Sequence, residues 1–174
     1  MITLHGEHIY LRAIEPSDLV FLYQLENDER FWAVSNTQKP FSKFLLQQYL
    51  DNAQQDIYEA KQLRLMVCEK QTDNSVGMID LFNFEPKHRR VGTGILIDPT
   101  YWNKGFASEA IALISKFVFQ NLDVHQIYAN IGASNVTSIK LFEKNGFIKS
   151  GTKKDWNFTN GKFENELLYQ LINE

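Results

Sequence analysis

With a single cysteine in 174 residues, this chain has no internal disulfide, so its fold must rest on a packed core rather than on cross-links. Cys68 stands in the apolar run Leu63-Arg64-Leu65-Met66-Val67-Cys68, where a buried structural thiol is expected rather than a nucleophile. The four histidines (His5, His8, His88, His125) show no metal-ligand spacing with one another or with Cys68, and no metal is expected. Long apolar runs are also missing. Nothing approaches the roughly 18–20 residues that span a bilayer, and Met1-Ile2-Thr3-Leu4-His5-Gly6 lacks the charged and apolar regions of a signal peptide. The expectation is a cytoplasmic protein with no membrane partner. Nor is there an excess of positive charge: 18 Lys and Arg against 21 Asp and Glu give a formal net charge of −3, which argues against a nucleic-acid binder. The one concentrated basic cluster, Lys87-His88-Arg89-Arg90, falls between two strand-like runs and reads as a solvated hairpin tip.

What the chain does have is a hydrophobic content of 44% over a length that suits one compact domain, residues 1–174, with a real core. His8 to Ile14 alternates as a strand, and Pro16-Ser17-Asp18 starts a helix with Leu19, Leu22 and Leu25 on one face. Asn36 to Pro40 is a loop, Ser42 caps a second helix to about Gln54, and Leu63 to Glu69 is a strand. Val76 to Phe84 and Arg89 to Ile97 read as neighbouring antiparallel strands joined by Glu85-Pro86-Lys87-His88. A helix from Ser108 to Asn121, a strand from His125 to Ile131 and a helix from Asn135 to Asn145, closed by Gly146, follow. Ile148 to Trp156 and Phe163 to Leu171 form a closing hairpin around Asn160-Gly161. The order is β-α-α-β-β-β-α-β-α-β-β, an α/β (α+β) pattern with a mixed sheet and helices on both faces.

The segment from Asp98 to Ala110 carries the clearest chemistry. It reads as strand, tight turn and helix start, in which Gly105 keeps no side chain between ligand and backbone. The amides of Lys104 through Ala107 can then point at phosphate oxygens where a helix dipole favours negative charge. Taken alone, such a turn fits an ordinary helix start equally well.

Two motifs stand a helix-strand-helix unit apart: Trp102-Asn103-Lys104-Gly105-Phe106-Ala107 and Asn135-Val136-Thr137-Ser138-Ile139-Lys140-Leu141-Phe142-Glu143-Lys144-Asn145-Gly146-Phe147. Together they resemble the GNAT (GCN5-related) N-acetyltransferase superfamily, in the bacterial branch of ribosomal-protein alanine and spermidine acetyltransferases. The first is similar to that family's acetyl-coenzyme A loop but has Trp where Gln or Arg is usual. The resemblance implies a mostly antiparallel twisted sheet of about seven strands, splayed at strands 4 and 5, and acetyl-CoA as cosubstrate. It places Ile95, Leu96 and Ile97 along the pantetheine arm. Asn103 to Ser108 (Lys104, Gly105, Phe106 and Ala107 between them) would hold the pyrophosphate, with Asn130, Asn135, Ser138, Phe142 and Lys144 completing the cofactor site.

The implied reaction is attack of a primary amine on a thioester, which needs a neutral amine, a stabilised oxyanion and a released thiolate. The sequence departs from its relatives at both proton-transfer positions. Gly92 stands where a Glu is common, leaving Asp80 and Glu85 as candidate bases acting through water. Phe142 replaces the usual tyrosine acid, leaving Ser138, a water or, more remotely, Tyr128. A thiol near pKa 8.5 is a tolerable leaving group, so this slows the reaction without forbidding it. Glu26, Asp28, Glu29 and Trp32, with Asp80 and Phe84, are the expected acceptor-side residues, and the acids would attract a cationic polyamine, small amine or protein N-terminus. Trp156 is a further candidate aromatic wall. The competing reading is a catalytically weak CoA-binding module, motivated by Gly92 and Phe142. The closing hairpin serves equally to finish a monomer or to meet a second copy in a homo-oligomer.

Overall fold

A computed structural model describes residues 4–174. Seven strands form one sheet: β1 (Ile9–Ala13), β2 (Leu63–Glu69), β3 (Ser75–Glu85), β4 (Arg90–Ile97), β5 (Gln126–Gly132), β6 (Ile148–Thr159) and β7 (Lys162–Ile172). Their spatial order is β1-β2-β3-β4-β5-β7-β6. Each neighbouring pair is antiparallel except β4 with β5, which is parallel because α5 (Phe106–Asn121) crosses between them. The other helices are α1 (Leu19–Glu26), α2 (Trp32–Ser35), α3 (Lys43–Asp51), α4 (Ile57–Ala60) and α6 (Val136–Lys144).

The central strands are apolar on both faces, so each face needs its own helical cover. In β2 the period of two sends Leu65 and Val67 into one core and Met66 and Cys68 into another. The first core is closed by Ala110, Ile111, Ile114 and Val118 of α5, packed against Ile9, Leu11, Ile79, Leu81, Val91 and Ile127. The second is closed by Leu22 and Leu25 of α1 and Leu46 and Leu50 of α3 over Met66, Cys68 and Met78. Each fully buried aliphatic side chain contributes about 1.5–3 kcal/mol. Cys68, fully buried, is one of these packing residues.

Local chemistry sets the helix ends. Ser42 Oγ accepts from Leu45 N–H at 3.1 Å and starts α3. Gly146, at φ +86°, ends α6. Its N–H bonds Glu143 O, while Phe147 N–H bonds Phe142 O and the two phenyl rings meet edge to face at 5.0 Å.

The structure corrects several boundaries. The second predicted helix stops at Asp51, three residues early, because the Asn52 side chain folds back onto Gln48 O. The one-turn helices α2 and α4 were not foreseen, since four residues are too few to show a 3.6-residue period. β6 continues past Trp156 to Thr159 through a bulge between Lys153 and Asn157, with Asp155 at φ +48°.

Candidate active site

The parallel pairing of β4 and β5 covers only Arg90↔Gln126, Val91↔Ile127 and Gly92↔Tyr128. Beyond Gly92 the strands splay, and a cleft of about 1790 Å³ opens between them. The register says which groups face it. Asp98 N–H bonds Val76 O at 2.8 Å, one step beyond the Ile97↔Gly77 pair. Antiparallel alternation then gives Leu96, Gly94 and Gly92 the hydrogen bonds to β3 and turns the main chain of Thr93, Ile95 and Ile97 toward β5. Ile97 O accepts from Trp102 Nε1 at 2.8 Å. The Thr93 carbonyl and the main-chain groups of Ile95 are thereby presented to the cleft, where an incoming amide can pair with them. Ile95, Leu96 and Ile97 all line it.

At the end of the cleft Gly105 caps α5, a helix of 16 residues, at φ +79°. A Cβ added there would meet nothing within 4 Å, so the space above this backbone is open. Asn103, at φ +61°, Lys104, Ala107 and Ser108 also line this end. The open backbone and the helix N-terminus fit a pyrophosphate. Phe106 differs from its neighbours: its ring is buried in the core, so only its main chain is available. Trp102 is half exposed, pinned to Ile97 O and edge-on to Phe31 at 6.3 Å.

The second motif forms the opposite wall. Asn135 Oδ1 accepts from Ser138 N–H at 3.2 Å, which makes it the cap of α6. Asn130, Asn135, Ser138, Phe142 and Lys144 all line the cleft. Sequence reasoning missed Asn145, whose Nδ2 donates to Ser108 Oγ at 3.1 Å and Leu141 O at 2.8 Å, tying α6 to α5. Nothing local distinguished it from a helix-end asparagine.

Across β4 lies a charged cluster. Asp80 lines the cleft and is paired in register with Arg64 of β2. Arg64 Nε and Nη2 donate to its two carboxylate oxygens at 2.6 and 2.7 Å, and Nη1 donates to Glu26 Oε1 at 2.5 Å. The Tyr49 ring of α3 sits 5.5 Å from the guanidinium. Burial disfavours the Arg64 charge, but Asp80 and Glu26 outweigh it and hold its pKa above the ordinary value. Arg64 and Tyr49 were not anticipated, although an arginine and an aspartate each interrupting an apolar strand was the available signal.

The other acceptor-side residues fare differently. Phe84 is 1% exposed and stacks edge-on with Tyr58, so it is a core residue and no wall of the cleft. Glu85, a candidate base, stands outside the cleft on Arg90 at 2.9 Å, and this hydrogen bond holds its carboxyl below the usual range. Asp28 is likewise neutralised by Arg30, while Glu29 and Trp32 do not line the cleft. The Trp32 indole N–H instead donates to Glu26 O at 3.1 Å, bracing the end of α1. Trp156 does line the cleft, beside Lys153, which pairs with Glu166 at 2.7 Å.

Gly92 now has a physical reason. A Cβ there would lie 2.3 Å from the Phe82 ring, which covers this position and stacks edge-on with Tyr128 at 6.0 Å. An apolar ring occupies the space that an acidic side chain on β4 would need.

A splayed parallel strand pair with free main chain, leading into an open glycine-capped helix, is the architecture of an acyl-coenzyme A site. The acetyltransferase (GNAT) domain model matches residues 8–148, and the chain belongs to this family. It is 28% identical to the spermidine N(1)-acetyltransferase of Vibrio cholerae, covering 91% of this chain and 90% of that one. It is 29% identical to an uncharacterized prophage-derived N-acetyltransferase of Bacillus subtilis, covering 97% and 92%. The solved structure of the Vibrio cholerae spermidine N-acetyltransferase in complex with CoA and spermine superposes with a TM-score of 0.86 at 26% identity over 96% of each chain. The protein is thus an acetyl-CoA-dependent N-acetyltransferase that acetylates an amine. Among the described residues no helix is long and apolar enough to cross a membrane, and no group of three or more His, Cys, Asp or Glu is placed to hold a metal ion.

Proposed function

We propose that the acceptor is a small polycationic amine of the polyamine class, received on the Glu26–Asp80 side of the cleft. The observation that carries this is the charge there: two carboxylates share one guanidinium, leaving a net negative charge at the cleft wall. A protonated amine brings that wall toward neutrality. The relationship to spermidine acetyltransferases points the same way.

Acetyl-coenzyme A supplies the activated acyl thioester. The amides of Lys104 to Ser108 would hold its pyrophosphate, and the Thr93 and Ile95 carbonyls would pair with its pantetheine arm, the Ile95 N–H being free to stabilise an oxyanion. Asp80 would anchor the acceptor as an ammonium ligand. Arg64 engages both Asp80 oxygens, and the amine's proton would leave through water in the open cleft. Ser138 lines the cleft and would offer a side-chain hydroxyl to the departing thiolate.

Thiol release measured with spermidine, putrescine, monoamines and Ala- or Ser-starting peptides tests this reading. Polyamines should have the highest kcat/KM. Equal rates with a neutral-tailed monoamine and spermidine would overturn it.

A further inference from the structure

We propose that Arg64 is a positioning residue of the acceptor site, holding Glu26 and Asp80 on a single guanidinium in the arrangement that receives a cationic amine. This rests on the acceptor reading above and assigns the device that makes it work.

Glu26 ends α1 and Asp80 lies in the middle of β3, on elements with no covalent reason to be adjacent. The groups facing these acids from the packed elements are Arg64 of β2 and Tyr49 of α3, and both acids touch the same guanidinium through different nitrogens. Two carboxylates drawn toward one point repel each other, and a cation between them offsets that repulsion. Arg64 supplies that cation from a side chain only 16% exposed, with the Tyr49 ring fixing its remaining face. A guanidinium can serve both acids at once because its donors form a planar fork, which a lysine ammonium does not have.

A second arginine–aspartate pair on the same sheet face gives the contrast. Arg12 of β1 donates two 2.8 Å bonds to Asp18, whose side chain is 5% exposed. That pair is one-to-one, so it is neutral, and it lies outside the cleft. Arg64 differs in having two acids and in facing the substrate space, so its cluster keeps one unit of negative charge for a ligand.

The test uses Arg64→Gln and Arg64→Lys in the full chain, with spermidine as acceptor and acetyl-CoA affinity as the measure of an intact fold. Arg64→Gln should raise the KM for spermidine by about tenfold to a hundredfold while the acetyl-CoA dissociation constant stays within about twofold. The loss should appear in KM, with kcat within about threefold of the wild type, as expected where a binding contact is removed. Arg64→Lys keeps the charge without the planar fork and should recover part of the KM, and it carries the test alone if Arg64→Gln fails to fold. An unchanged spermidine KM in either folded variant would overturn the proposal. So would a parallel loss of acetyl-CoA affinity, which marks a purely structural ion pair. A wild-type enzyme that ignores spermidine refutes the acceptor reading instead, before any variant is made.

Discussion

Around Gly105 the molecule presents open backbone, and around Arg64 it presents charge. The proposed cofactor end offers amides of a turn, a helix N-terminus and the outward edge of β4, with few side chains committed. The proposed acceptor end offers three charged side chains from α1, β2 and β3, assembled by tertiary packing. Backbone groups serve any acyl-coenzyme A ligand in the same way, whereas a charged triad selects its partner by charge and spacing. Substitutions should therefore separate the two ends cleanly.

The largest effect is expected at Gly105. Gly105→Val adds a Cβ that meets no protein atom but fills the ligand's space, at a φ of +79° that costs a side chain about 1–2 kcal/mol. Calorimetry should show the acetyl-CoA dissociation constant rising by more than about a hundredfold while Tm falls only about 2–8 °C. Retained affinity would mean the pyrophosphate sits elsewhere. At the acceptor end, Asp80→Asn should do the reverse: kcat/KM for spermidine falls by about thirtyfold to a hundredfold with acetyl-CoA binding intact.

Between the two ends stands Phe82. Gly92→Glu should lower stability by about 1–3 kcal/mol in denaturant titration, since the new side chain collides with the ring. Adding Phe82→Ala should recover most of that loss, and a Gly92→Glu variant as stable as the wild type would show the ring does not fill the site. Phe142→Tyr is expected to raise kcat by no more than about tenfold in steady-state assays, because a thiolate near pKa 8.5 already leaves readily. A rise of about a hundredfold would make thiolate protonation the limiting step.

The smallest kinetic effect should come from Asp18, in the charge-balanced pair outside the cleft. Burial alone would raise its pKa, but hydrogen bonds from Arg12 and the Glu15 amide lower it below the usual aspartate value. A carboxyl depressed in the folded state adds stability above its unfolded pKa of about 3.9, and that stability is lost as the pH falls through the folded value. Melting curves from pH 6 to 3 should therefore fall more steeply for the wild type than for Asp18→Asn, with spermidine kinetics at pH 8 alike in both.

What could be read in the chain follows the same division. Gly105 and the Asn135–Phe147 segment are contiguous, so their chemistry is written locally as a glycine turn, a helix cap and a helix-closing Gly146. Leu19, Leu22 and Leu25, or Ile111, Ile114 and Val118, declare their helices by period. Phe84 and Glu85 were misread as active-site groups because strand alternation gives two faces but not which of them meets a cleft. The bulge between Phe82 and Glu85 further re-aims that strand end.

The sequence by itself determined the order of the strands and the longer helices, the glycine turn that opens α5 and the family of this N-acetyltransferase, because each is encoded by neighbours in the chain. Only the tertiary structure decided that Arg64 stands between Glu26 and Asp80, that Phe82 covers Gly92, and that Asn145 ties the two cofactor helices together. Those contacts span 38, 16, 10 and 37 residues along the chain, and such distances close only when the sheet register and helix packing are complete.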